Sequence, residues 1–267
     1  YLYMDDIQLF NDDCFNIFPT LEDKSINLFI LDLPYGQTAC HWDSVIDLDE
    51  MWKHIKRIMK PNALIVFFCT AKFGNTLINA NPKWFKYDLI WKKSRKVGFL
   101  SANKMPLRQH ENIYVFNDKP VTHSKNKNQE YSTYNPQKIE GKPFKVKGGK
   151  SKAVDGSLSR GHEVISKEYE NKGDRHPTSI LNEIPEYEGD TILVYKNPHK
   201  TIHRTQKPVE LLEWLIKTYS NEGDLVMDFT MGSGTCGIAC MNTKRKFIGV
   251  EMDEEIFNLA KDRIEKV

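Results

Sequence analysis

Leu225-Val226-Met227-Asp228-Phe229-Thr230-Met231-Gly232-Ser233-Gly234-Thr235 is a short apolar run that meets an acid, turns on two glycines and opens into the helix-like stretch 236–242. A second strand-like run, 246–250, follows and ends on Glu251. Glycines at such a turn let a ligand approach the backbone closely. The unpaired amides at the start of the following helix favour an anionic group. An acid at the end of the next strand, about 20 residues on, suits the hydroxyls of a ribose. Strand, glycine turn, helix and strand ending in an acid together predict a nucleotide-type site on an α/β sheet.

Working outward, the same alternation recurs. Residues 26–31 (INLFIL) run straight into Asp32-Leu33-Pro34-Tyr35-Gly36, and 63–69 read ALIVFFC. Only a strand covered on both faces is apolar at every position, so both runs read as buried parallel strands. Residues 48–59 have helical spacing and stop at Lys60-Pro61-Asn62. Residues 73–78 suggest a short helix, and 87–91 and 111–116 two further strands separated by the basic stretch 92–108. Regular structure resumes after Thr205-Gln206-Lys207-Pro208, with proline at a helix entrance, amphipathic spacing over 209–219, a turn at Gly223-Asp224 and a last helix over 254–264. Strands alternating with helices predict a doubly wound, mostly parallel α/β sheet.

The region from 119 to about 200 breaks the pattern. It is polar, carries Gly148-Gly149 and has no long periodic segment; over 119–177 Lys and Arg outnumber Asp and Glu roughly two to one. A long structureless stretch inside a compact domain is usually functional. The reading is therefore an insertion at 119–200 that carries recognition and is ordered in part only on binding, set between a first part at 1–118 and a last part at 201–267 that holds the nucleotide-type turn. A solvated loop is the plain alternative. The whole chain has 267 residues, 40% hydrophobic and 28% charged, with a formal net charge of +2. Bulk charge thus says little, whereas its clustering points to nucleic acid. Cys14, Cys40, Cys69, Cys236 and Cys240 form neither a disulfide framework nor a zinc spacing. No apolar run has membrane length and no signal-peptide pattern opens the sequence. The expectation is a metal-free protein of a reducing cytoplasm that does not enter a membrane.

Asp32-Leu33-Pro34-Tyr35 resembles the Asp-Pro-Pro-Tyr signature of the amino-methyltransferases that modify adenine N6 or cytosine N4, with leucine in the first proline position. The chain is similar to the β class of that family, in which the catalytic motif precedes the recognition region and the cofactor motif comes last. Asp228, Phe229, Gly232, Ser233, Gly234 and Thr235 resemble its glycine-rich cofactor loop. His203, Thr205, Gln206, Lys207 and Pro208 look like the segment that helps hold the methionine part of the cofactor. Asp13, in Asn11-Asp12-Asp13-Cys14, takes the place of an N-terminal acid, a role that Asp12 would fill equally. The run from Trp91 through Arg108, His110 and Glu111 to Phe116 has the same look. The resemblance covers nearly the whole chain except about 120–200.

This resemblance implies a Rossmann-like S-adenosylmethionine-dependent methyltransferase fold in permuted motif order, with Asp13, Thr205, Lys207, Asp228, Phe229, Gly232, Ser233, Gly234, Thr235 and Glu251 around S-adenosyl-L-methionine. It implies catalysis by Asp32, Leu33, Pro34 and Tyr35. The amine lone pair of adenine is delocalised into the ring. The Asp32 carboxylate and the Leu33 carbonyl would accept its two hydrogens and aim the lone pair at the methyl group. Tyr35 would stack on a base flipped out of double-stranded DNA. Aspartate at 32 favours adenine N6, and cytosine N4 stays open. Methylation of RNA or of a protein glutamine is the runner-up, disfavoured by Asp32 and by the motif order. A nicotinamide-binding oxidoreductase would use Gly232, Gly234 and Gly237 as G-x-G-x-x-G. It leaves Asp32 to Tyr35 unexplained, and the Asp228 carboxylate suits a cationic amino group better than a pyrophosphate. A DNA-binding protein with a dead catalytic fold is the third alternative, and the intact motifs argue against it. A cognate restriction endonuclease and a homodimer are partners the resemblance leaves open.

Overall fold

The computed structural model describes residues 2–4, 6–34, 46–121, 129–152, 163–166, 168–181 and 206–267. In chain order the elements are β1 (Leu2–Met4), β2 (Ile7–Asn11), α1 (Cys14–Ile17), β3 (Ile26–Leu31), α2 (Leu48–Ile58), β4 (Met59–Cys69), α3 (Ala71–Ala80), β5 (Phe85–Val97) and β6 (Arg108–Phe116). There follow six short strands, β7 (Ile139–Glu140), β8 (Phe144–Val146), β9 (Gly149–Lys152), β10 (Glu163–Ser166), β11 (Tyr169–Asn171) and β12 (Asp174–Arg175), and then β13 (Ile180–Leu181). The chain closes with α4 (Val209–Tyr219), β14 (Leu225–Asp228), α5 (Thr235–Asn242), β15 (Lys246–Glu251) and α6 (Glu254–Ile264).

Nine strands form one sheet in the order β1-β2-β15-β14-β3-β4-β6-β5-β13. From β2 to β4 every pairing is parallel, and only β1 and β6 run against the rest. The alternation within β4 shows why the sequence is apolar throughout. Leu64, Val66 and Phe68 pack on the face covered by α4, α5 and α6, and Ile65, Phe67 and Cys69 on the face covered by α1, α2 and α3. Each such side chain gains about 1.5–3 kcal/mol from burial. This is the doubly wound, mostly parallel sheet that the alternating pattern implies.

The helices start where their caps allow. Asp47 accepts from the amides of Asp49 and Glu50 at α2, Thr70 from Phe73 at α3, and Asp253 from Ile256 at α6. Lys60-Pro61-Asn62 does not separate α2 from the next strand. It lies inside β4, where the register slips between the pairs Ile26↔Met59 and Leu28↔Leu64. Proline is tolerated at such an irregularity. Asn27 fills the slip, accepting from Lys60 Nζ at 2.9 Å and from the Leu225 amide at 3.1 Å.

Two expectations change. The stretch 92–108 is not a linker between strands, because β5 extends to Val97 and β6 begins at Arg108. The polar region is not without structure either. β7 pairs with β12, β8 with β11 and β9 with β10, all antiparallel and nested, which makes one long ribbon. Its strands are two to four residues long. Interruptions such as Gly141 and Gly173, whose backbones meet at 2.6 Å, hide the period of two. Among the described residues no helix is long and apolar enough to cross a membrane.

The end of β14 is supported from behind by Gly249 of β15. A Cβ there would lie 2.4 Å from Met231 Sδ and 2.7 Å from the Phe247 ring. Gly249→Val is expected to cost about 1–3 kcal/mol by overpacking, read as a lower urea midpoint at unchanged slope; an unaltered midpoint would show that Met231 moves aside freely.

Candidate active site

The winding of the sheet reverses between β14 and β3. The chain leaves β14 through α5 on one face and leaves β3 towards α2 on the other. Ligands of doubly wound sheets bind at this point, outside the carboxyl ends of the strands. Four adjacent parallel strands each deliver acid there: Asp12 and Asp13 after β2, Glu251 at the end of β15, Asp228 at the end of β14 and Asp32 just after β3. All of them line one cavity of about 340 Å³, together with Phe15, Leu33, Pro34, Lys207, Phe229, Thr230, Gly232, Ser233, Thr235, Met252 and Ile256.

The glycine turn is built as a backbone cradle. Gly232 and Gly234 have φ of +50° and +73°, the left-handed region where a side chain is strained. Glu251 Oε2 accepts from the Gly232 amide at 3.0 Å and its Oε1 from the Asp253 amide at 3.0 Å. Each oxygen keeps a further lone pair for a hydroxyl donor. Burial moves the Glu251 carboxyl above its usual range, opposed by these amides. Ser233 Oγ and Thr235 Oγ1 lie 3.2 Å apart at the mouth of α5. Arg263 holds that corner from α6 by donating to the Ser233 carbonyl and to Thr235 Oγ1.

The carboxylates differ in their surroundings. Asp228 is buried and accepts from the Thr230 amide at 3.1 Å. Burial, helped by Asp32 and Glu251, pushes its carboxyl up to about 8. Asp32 instead meets a cation: Lys207 Nζ donates to its Oδ2 at 2.5 Å. Lys207 also stands 3.7 Å from Glu111 Oε2, and Glu111 Oε1 takes Lys93 Nζ at 2.6 Å. Burial alone would lower the Lys207 ammonium, but Asp32 and Glu111 carry it above its ordinary value. Burial likewise works against the Glu111 carboxylate, and Lys207, Lys93 and Arg108 outweigh it, so its pKa falls.

Most of the residues singled out in the sequence therefore meet in one place. Asp13, Asp32, Leu33, Pro34, Lys207, Asp228, Phe229, Gly232, Ser233, Thr235 and Glu251 all line the cavity. Asp13 also caps α1, accepting from the Phe15 amide at 2.8 Å, and Asp12 lines the cavity beside it. Gly234 stands apart from that wall. It is the N-cap of α5, and a Cβ on it would lie 3.0 Å from Ala260 Cβ, so its work is the turn and the approach of α6. Gly237 is closed by Ile264 and Phe247 at 2.7 and 2.9 Å, a helix-packing glycine. Tyr35, His203 and Thr205 lie outside the described residues. Lys207 touches Asp32 directly, a contact the sequence did not suggest. Glu111 and Lys93 form the other half of this ion chain. The sequence singles out Glu111 only as part of the run from Trp91 to Phe116 with the family's look, and Lys93 only as one of several basic residues in 92–108.

The folded protein holds the Asp228 proton more tightly than an unfolded chain, whose carboxyl titrates near the ordinary 3.8. Stability should thus fall as pH rises from about 4 towards about 8. Asp228→Asn removes that decline: melting temperatures of variant and wild type should agree best in acid, with the variant increasingly the more stable towards pH about 8. Parallel melting curves across this window would contradict the assignment.

A model of the family described as DNA methylase matches residues 26–262. The Type II methyltransferase M1.MboII of Moraxella bovis is 27% identical over 267 residues, covering 93% of this chain and 92% of that protein. The Type II methyltransferase M.HpaI of Haemophilus parainfluenzae is 24% identical over 258 residues, covering 92% and 70%. Among solved structures, the M1.HpyAVI–SAM complex superposes with a TM-score of 0.57 at 22% identity, covering 96% of this chain and 99% of that one. The PvuII DNA methyltransferase, described as cytosine-N4-specific, gives 0.62 at 15% identity, covering 97% and 86%. The Asp32 carboxylate, the glycine turn and the Glu251 carboxylate meet at one switch point, and the family match spans both strands that form it: the chain belongs to the N6_N4_Mtase family of DNA methylases.

Proposed function

We propose that this chain transfers a methyl group from S-adenosyl-L-methionine to the exocyclic amine of a base flipped out of double-stranded DNA, and that the base is adenine, methylated at N6. The observation that carries the reading is the placement of Asp32 and Asp228 on neighbouring strands over one cavity. A donor and an acceptor of the methyl group can thus be held side by side.

The cavity residues fit the cofactor. A volume of about 340 Å³ lies within the range of small-molecule sites. Glu251 presents acceptors to the ribose hydroxyls. Phe229, Met252 and Ile256 supply apolar wall for its adenine. The hydroxyls of Ser233 and Thr235 and the open amides of α5 suit the methionine carboxylate. The buried Asp228 carboxyl answers the amino group, whose charge would favour its ionised form. When bound, the cofactor supplies an electrophilic methyl on a sulfonium.

The chain's own residues do the rest. Asp32 Oδ1 or Oδ2 accepts one amine hydrogen and the Leu33 carbonyl the other, which turns the lone pair towards the methyl group. As the nitrogen takes the methyl group and the methyl–sulfur bond breaks to leave a neutral thioether, the nitrogen gains positive charge; these fixed acceptors stabilise it, and the surplus proton passes to Asp32 or to water. Lys207 holds the Asp32 carboxylate in place from behind. Pro34 stiffens the loop, and Tyr35 stacks on the base. Aspartate at 32 supports adenine over cytosine. In the proposed division, 1–118 supplies this catalytic loop and 201–267 the cofactor cradle, while the basic ribbon within 119–200 reads the target, with a cognate endonuclease as the natural partner of such an enzyme. Proline at the first position of the motif, absent here, is not required for a main-chain acceptor.

Incubation with methyl-labelled S-adenosylmethionine and unmethylated genomic DNA, followed by digestion to nucleosides, tests the reading. Label is expected in N6-methyladenine. Label in N4-methylcytosine would keep the reaction and overturn the base, and label confined to RNA or protein would overturn DNA as substrate.

A further inference from the structure

The hairpin of β5 and β6 leaves the sheet. Among the described residues β13 accompanies β5 only to Trp91, and β4 accompanies β6 only to Asn112. Beyond these points the two strands pair with each other alone among the described strands, through Lys92↔His110 to Val97↔Arg108. Because β6 is antiparallel to both β4 and β5, β5 runs with β3. The arm therefore projects from the carboxyl edge, the edge that carries Asp32. Its root is fixed to the site: Lys93 pairs with Glu111, Glu111 with Lys207 and Lys207 with Asp32.

The composition of the arm is one-sided. Between 92 and 108 the sequence has Lys92, Lys93, Arg95, Lys96, Lys104 and Arg108 and no acid. Its tip is apolar and bare: Phe99 is 81% exposed, Leu100 fully and Met105 61%. This tip is a built turn. Gly98 takes φ +95°, and the amides of Ser101, Ala102 and Lys104 bond back to Gly98, Phe99 and Ser101 at 2.9, 3.0 and 2.8 Å. Single exposed apolar residues are ordinary. A preformed apolar tip between cationic flanks matches a duplex, where cations meet phosphates and an apolar wedge enters between bases.

We propose that this arm docks on the DNA beside the target base and that Phe99 and Leu100 enter the stack to hold the base out. The inference rests on the proposed methylation of a flipped base. It assigns to 92–108 a share in DNA binding separate from the ribbon.

The test compares single-turnover methylation of two duplexes carrying the enzyme's methylated sequence, one fully paired and one mismatched opposite the target base. Phe99→Ser/Leu100→Ser is expected to slow the paired duplex by about tenfold or more, and the mismatched duplex by only about twofold, because a mismatched base costs less to unstack. Lys96→Glu/Lys104→Glu is expected to weaken duplex binding and flatten its log–log salt dependence by about 2. Equal slowing of both duplexes, or none, would overturn the wedge. So would a shift from dimer to monomer in sedimentation with the rate ratio unchanged, since the tip would then be a self-association surface. An unchanged salt slope would overturn the phosphate contacts. Wild-type protein that labels neither duplex would sink the methylation reading itself, and the wedge with it.

Discussion

The contact between Lys207 and Asp32 joins residues 175 positions apart, and the arrangement of the site depends on it. The Asp32–Pro34 segment follows β3 and the glycine turn follows β14. These strands come from opposite ends of the chain and become neighbours only because the sheet winds both ways from their junction. Acid from four strands converges there, which unrelieved would be costly. Lys207 is the one cation lining this cavity among the described residues. A buried pair of this kind adds little net stability, yet removing one partner typically costs about 3–5 kcal/mol because the other charge is stranded. The partial exposure of Asp32 places this pair towards the lower end of that range.

The pair also sorts the carboxylates. Asp228 is shielded from water, accepts one amide and holds its proton up to about 8. Asp32 sits beside an ammonium at the open side of the same cavity. Two acids of the same type thus acquire different chemistry from their neighbours alone. In the proposed reaction one answers the cationic amino group of the cofactor and the other accepts hydrogen bonds from the base amine. Glu111 and Lys93 extend the ion chain outward into the β5–β6 hairpin, so the hairpin and the Asp32 segment share a mechanical root.

What the sequence revealed, and what it hid, follows from the range of each interaction. Strands β3 and β14 and helices α4 and α6 were legible almost to the residue, because two-sided burial or amphipathic spacing is written locally. The cavity-lining residues were legible as motifs. Strand β2 did not stand out because Gln8 interrupts its apolar run and Asn11 ends it, although it carries Asp12 and Asp13 into the site. The reach of β5 and β6 beyond the sheet was hidden because their outer residues are charged on both sides, which reads as loop. The ribbon was hidden because each of its paired runs is no longer than four residues. The Lys207–Asp32–Glu111 chain was out of reach altogether: no local pattern says which lysine finds which acid across a fold.

The most direct test of the account is the Asp32→Asn variant, with S-adenosylmethionine affinity and single-turnover methylation measured on the same preparation. Asparagine keeps the shape and one acceptor but removes the charge that faces both Lys207 and the amine. The account predicts cofactor affinity within about threefold of wild type and a methyl-transfer rate lower by about a hundredfold or more, the scale of losing a preorganised electrostatic partner. A variant that binds cofactor and methylates DNA at the wild-type rate would contradict it.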